Sequence, residues 1–134
     1  MKLAYPAIFE PCDEGGYSVS FPDLPGCFTD GEDLADALYM AQDAASGWLL
    51  ITLEDGEALP VASKIEEIKA DKGCIVNMVA MDMDEYALKY GKHSVKKTLT
   101  IPAWMNTFVE EHQISCSKLL QNAINSAIES QAYN

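Results

Sequence analysis

Arginine is absent: all nine basic residues of this 134-residue chain are lysines. Arginine is the usual bidentate reader of guanine, so that mode of base recognition is excluded. No G-x-x-x-x-G-K-[S/T] or G-x-G-x-x-G segment occurs, which excludes the phosphate cradles those motifs build. Cysteine is sparse and scattered, at Cys12, Cys27, Cys74 and Cys116, with no C-x-x-C pair and neither His93 nor His112 at ligand spacing, so no zinc site is expected. Isolated cysteines in a chain without a secretory signal read as reduced thiols, which points to the cytoplasm. The opening M-K-L-A-Y-P-A-I-F-E is broken by Pro6 and Glu10 and does not read as a signal sequence. No apolar run approaches the roughly 18–20 residues that span a bilayer, so no membrane association is expected.

Catalysis has little to work with. A Ser/His/Asp set would need His93 or His112, both far in sequence from any activated serine. His93 reads as a linker residue and His112 as a helix-end residue. Carboxylates are plentiful at Asp13, Glu14, Asp23, Asp30, Asp33 and Asp36, but they fall in turns and at a helix start. Aspartate is favoured there for backbone bonding and capping. A magnesium-dependent nuclease is the enzyme reading these residues leave open. No catalytic residue, metal or cofactor is assigned.

What is present is a charge split. Residues 1–91 hold five lysines and eighteen acidic residues, a net −13, whereas residues 92–134 hold four lysines and three acidic residues, a net +1. Two modules with different partners are expected, the acidic one repelling nucleic acid and attracting a basic partner. A solvated acidic surface with no partner is the plainer alternative. With 49% apolar residues the chain has ordinary globular composition. It contains no internal repeat.

The first module reads as one α+β layer. Leu3–Phe9 alternates as a strand, with Tyr5, Ala7 and Phe9 on one face. Pro6 favours an edge, or a position where its missing N–H faces away. A Gly15-Gly16 turn leads to a second, antiparallel strand, Tyr17–Phe21. Two prolines and two glycines stiffen the loop F-P-D-L-P-G-C-F-T-D-G, and Cys27–Thr29 forms a short third strand. Asp30 or Asp33 caps a helix from Leu34 to Leu53, with Leu34, Leu38, Ala41, Ala45, Trp48 and Leu49 at helical spacing. Trp48 reads as core rather than as a ligand platform. A helical turn over Lys64–Ala70, capped by Ser63, precedes a fourth strand from Cys74 to about Met83, then a helical turn over Glu85–Tyr90. Gly91-Lys92-His93 is the linker.

The second module alternates at Lys96, Thr98 and Thr100 against Leu99 and Ile101, which marks a half-buried strand. Pro102 ends the strand and suits a helix start. A helix over Ala103–His112 carries Trp104 and Phe108 inward. Ser115 caps a second helix with Leu119, Leu120, Ala123, Ile124, Ala127 and Ile128 at helical spacing. So small a unit cannot bury a core alone, and its lone strand needs a partner for its backbone groups. A second copy, paired about a two-fold axis, would supply both. Pairing would set Lys96, Thr98 and Thr100 of both chains on one two-stranded ribbon, a shape that fits the major groove. Ser115, Ser117 and Lys118 at the start of the second helix suit a phosphate. A dimerisation clasp without DNA binding is the alternative.

S-V-K-K-T-L-T-I-P-A-W through S-C-S-K-L-L-Q-N-A-I resembles the ribbon-helix-helix fold of dimeric bacterial repressors. Y-S-V-S-F-P-D-L-P-G-C-F-T-D-G, with its Ala-rich helix ending in W-L, resembles the HicB antitoxin family. The resemblance implies a partial ribonuclease-H-like domain over residues 1–91 and a ribbon-helix-helix domain over 92–134. It implies an antitoxin that neutralises a small basic mRNA-cleaving ribonuclease, a HicA-like toxin, and represses its own operon by binding operator DNA as a homodimer. A tetramer or larger assembly with toxin is compatible. The site residues carried over are Lys96, Thr98, Thr100, Ser115 and Ser117 for DNA, to which the charge of Lys118 at the helix start is added. The toxin-facing candidates are Asp23, Leu24, Phe28, Asp33 and Asp36. Two features depart from the pattern: the outward strand carries Lys and Thr where such repressors often have Arg, and the turn H-Q-I-S lacks glycine. The alternative function is a ligand-sensing ribbon-helix-helix repressor without a toxin.

Overall fold

The computed structural model describes residues 1–92 and 94–130, and His93 lies outside them. The chain divides into two compact units, Met1–Ser94 and a second that begins at Val95.

The first unit is α+β. Strands β1 (Lys2–Pro11), β2 (Tyr17–Ser20), β3 (Phe28–Gly31) and β4 (Ile75–Asp82) form an antiparallel sheet in the order β3-β2-β1-β4. The alternation of β1 works as its sequence predicts: Tyr5, Ala7 and Phe9 are buried together with Val19, Val79 and Met81. Helix α1 (Leu34–Glu54) lays Ala37, Ala41, Ala45 and Leu49 onto that layer, small residues that let helix and sheet approach closely. Gly31 ends β3 directly beneath the helix, where any Cβ would run into the backbone of Ala37. The turn from β1 to β2 closes through Cys12 N–H to Gly16 C=O at 3.0 Å, with φ +98° at Gly15 and +79° at Gly16.

Several boundaries and contacts differ from the sequence expectations. Pro6 sits on a central strand but meets the second branch of its expectation, a position where its missing N–H faces away. It is tolerated because β2 pairs only with Ile8–Pro11, leaving Pro6 flanked by β4 alone, opposite Met78. Asp33, not Asp30, caps α1, its Oδ1 accepting from Asp36 N–H at 2.8 Å. The third strand is Phe28–Gly31, and Cys27 before it is buried. Over 64–70 only a 3-10 turn forms, Ile65–Glu67, with no side-chain cap, because Ser63 is bonded to Asp23 instead. Helix α2 (Met83–Tyr90) begins straight after β4, since Asp82 accepts from Glu85 N–H at 3.3 Å.

The second unit holds helices α3 (Ala103–Glu111) and α4 (Cys116–Ser130). His112 is the C-cap of α3, its ring nitrogen 2.9 Å from the Phe108 carbonyl oxygen. Gln113 takes the left-handed conformation, φ +54°, that glycine usually fills after a helix. The strand expected over Lys96–Ile101 does not form in the single chain. A strand exists through bonds to a neighbour, and among the described residues none pairs with this segment. Trp104 and Phe108, expected inward, are 69% and 51% exposed, and neither helix buries a residue. These two helices alone offer no second surface to close a core.

Candidate functional site

The loop between β2 and β3 is the most tightly fixed of the candidate regions. Leu24 N–H bonds Phe21 C=O at 3.1 Å and Cys27 N–H bonds Leu24 C=O at 3.0 Å, so the chain folds back twice within seven residues. This turn drives Leu24 into the core, where it is 0% exposed. Trp48 of α1 donates its indole N–H to Pro25 C=O at 3.0 Å. Asp23 accepts from the N–H and the hydroxyl of Ser63, and Tyr5 donates its hydroxyl to Pro60 C=O at 2.7 Å. Burial pushes the Tyr5 phenol above its ordinary value, and the Asp23 carboxylate nearby adds to that.

The five partner-facing candidates therefore separate by geometry. Leu24 is fully buried in the pinned loop, so its side chain is part of the core. Asp23 has both oxygens engaged internally. Asp33 and Asp36 are exposed but occupied with starting α1, since Asp36 Oδ2 also accepts from Glu32 N–H at 2.9 Å. Phe28 alone stands free, 71% exposed on the edge strand β3. The loop gathers no carboxylate cluster, and among the described residues no group of three or more His, Cys, Asp or Glu could hold a metal ion.

A second region escaped the sequence reading. Between α1 and β4 lies an open groove of about 330 Å³, lined by Leu38, Tyr39, Gln42, Met78 and Val79 among others. No local pattern announces it, because it arises from packing residues 35–42 against residues 78–80. A hint was available in Tyr39 and Met40, large apolar residues off the buried stripe of α1.

In the second unit, Lys96, Thr98 and Thr100 are exposed on chain without regular secondary structure, as are Leu99 and Ile101. Ser115 caps α4, its Oγ accepting from Lys118 N–H at 3.3 Å. Ser117 and Lys118 lie in the exposed first turn, so the N-terminal end of α4 is open to an anion. Among the described residues no helix is long and apolar enough to cross a membrane.

Known proteins share this arrangement. An uncharacterized 14.9 kDa protein of Haemophilus phage HP1 is 36% identical over 104 residues, 75% of this chain and 74% of its own length. The antitoxin HicB of Escherichia coli K12 is 40% identical over 63 residues, 47% of this chain and 46% of the antitoxin, so the chain spans about half the length of that relative. Among solved structures, a chain of a toxin–antitoxin complex from Streptococcus pneumoniae superposes with a TM-score of 0.71 at 28% identity, covering 94% of this chain and 99% of that one. The profile described as HicB_like antitoxin of bacterial toxin-antitoxin system matches residues 5–124. A match that runs from β1 into α4, and so takes in both units, makes this chain a member of the HicB-like antitoxin family.

Proposed function

We propose that the chain is the antitoxin of a type II toxin–antitoxin system. Residues 1–91, read as a partial ribonuclease-H-like domain, bind and neutralise a HicA-like ribonuclease toxin. Residues 92–134 pair with a second copy as a ribbon-helix-helix domain that binds operator DNA and represses the operon. The observation that carries this reading is the superposition, over 94% of the chain, on a chain of a toxin–antitoxin complex. The charge split supports it physically. A ribonuclease is expected to be basic, and a −13 domain is steered to it at long range and docks fast. Four free cysteines support a reducing compartment, the cytoplasm.

The second unit supports the pairing half of the proposal. Its apolar residues Leu99, Ile101, Trp104, Phe108, Leu119, Ile124 and Ile128 are all exposed in the single chain. A second copy would cover them and would supply the missing strand partner for Lys96–Ile101. Lys96, Thr98 and Thr100 would then line the ribbon, with Ser115, Ser117 and Lys118 on phosphates.

Co-expression with any small basic reading frame found beside the gene tests the reading. The two products should co-purify, and the toxin alone should arrest growth. Failure to co-purify removes the antitoxin role and leaves a repressor without a toxin.

A further inference from the structure

Strand β4 is an edge. Only β1 flanks it, and among the described residues nothing pairs with its other side. From Ile75 to Asp82 its one charged residue is the last, and it has no proline. Edge strands are usually defended by Lys, Pro or a bulge, because their open backbone groups attract another strand. The register says which groups are open. Pro6 has no N–H and stands opposite Met78, so that pair exchanges no bonds. Every second residue of an antiparallel strand shares that orientation, so Val76, Met78 and Ala80 turn their N–H and C=O away from β1. Two side-chain bonds agree with this. Gln42 Nε2 donates to Ala80 C=O at 2.9 Å, and Asn77 Oδ1 accepts from Met78 N–H at 3.0 Å. Val76 and Ala80 N–H, with the carbonyls of Val76 and Met78, remain open to a further strand.

The groove beside this edge has an apolar floor of Leu38 and Val79, with Tyr39 (75% exposed) at its helix rim, and Met78 (38% exposed) borders it through its backbone while its side chain turns to the other face of the sheet. The groove lining itself is uncharged, and the acidic residues of α1 lie beside it. Asp36 and Asp43 lie about one turn before and one turn after Tyr39 and Met40, and α1 has no basic residue along its length. Open backbone groups, an apolar slot and an acidic rim together describe a receptor for an extended, basic, apolar-anchored segment.

We propose that β4 and this groove receive an extended segment of the basic toxin, which joins the sheet as a fifth strand. One apolar side chain of that segment enters the groove beside Tyr39, over Leu38 and Val79, and a lysine or arginine neighbour faces Asp43. A second copy of this chain is disfavoured as the occupant, because it would bring two acidic rims together. The inference rests on the antitoxin reading above and names the surface through which it acts.

Titration of the full-length chain with the toxin encoded beside it tests this. Tyr39→Ala and Met78→Lys, both at exposed positions, should each weaken binding at least tenfold. Asp43→Lys should slow association and flatten its salt dependence. Val61→Ala, at a 90% exposed position away from this groove, should bind as wild type does. Hydrogen exchange should show the Val76 and Ala80 amides protected only in the complex. If wild type binds toxin and Tyr39→Ala and Met78→Lys bind equally well, this surface is wrong and the antitoxin role stands. If wild type does not bind, both fall. If the toxin-free chain runs as a tetramer that Met78→Lys reduces to a dimer, a second copy occupies the edge and the proposal is overturned.

Discussion

Asp23 accepts two bonds from one residue, Ser63, at 2.8 Å from its backbone N–H and 2.7 Å from its hydroxyl. Forty positions of chain separate the two residues, and this contact pins the β2–β3 loop to the segment that leads into β4. The bonds are charge-assisted and partly shielded, which makes each stronger than a neutral surface bond. Asp23→Ala should lower the stability of the first unit by about 2 kcal/mol, because two donors lose their acceptor. Ser63→Ala keeps the backbone bond and should cost about 1 kcal/mol. Urea denaturation followed by tryptophan fluorescence measures both, and equal costs for the two variants would show that the bond from the Ser63 backbone N–H adds nothing.

Tyr5 gives the first unit an alkaline limit. Its phenol is buried, donates to Pro60 C=O and has a raised pKa, owing to burial first and the Asp23 charge second. A folded-state value above the unfolded one contributes stability that is whole below the unfolded value of about 10. That contribution is lost as pH rises through the folded value. Stability should therefore fall with pH above about 10. In Tyr5→Phe the fall should be shallower and the starting stability lower. A wild-type slope equal to that of Tyr5→Phe would rule out the phenol as the cause.

Gly31 allows β3 to pass directly under α1. A methyl group there meets the Ala37 backbone, which cannot rotate aside as a side chain would. Gly31→Ala should cost about 2 kcal/mol, in the range for overpacking a filled core. Thermal denaturation should register this as a lower Tm with unchanged secondary structure at low temperature.

For operator binding, Lys96→Ala and Thr98→Ala should each weaken affinity by about 1–3 kcal/mol, the size of one lost base contact. Ser117→Ala should weaken binding to all sequences alike, because a phosphate contact carries no sequence information. Gel shifts against operator and scrambled duplexes separate the two patterns. Unchanged affinity in both strand variants would remove the ribbon from the DNA interface.

Local pattern carried much of the fold. The alanines and leucines of α1 repeat at helical spacing, and the strand alternation of Tyr5, Ala7 and Phe9 is visible in seven residues. What local pattern missed depends on distant partners. Ser63 looks like a helix cap until Asp23, forty residues earlier in the chain, takes its hydrogens. Leu24 looks like an exposed loop residue until two turn bonds fold it inward. The order of strands cannot be read from any one of them, so the central place of β1 and the open edge of β4 were invisible. The segment Lys96–Ile101 is the reverse case. Its alternation is clear, but among the described residues no strand pairs with it.

Pro6 has one more consequence. Sliding β4 by one residue along β1 would place the proline in a pair that must exchange hydrogen bonds, and it has no hydrogen to give. The same slip would turn Tyr5, Ala7 and Phe9 out of step with Val79 and Met81. A residue that weakens the sheet at one position thus acts as a proofreader for all the others, rejecting the misaligned pairing before the core can close over it.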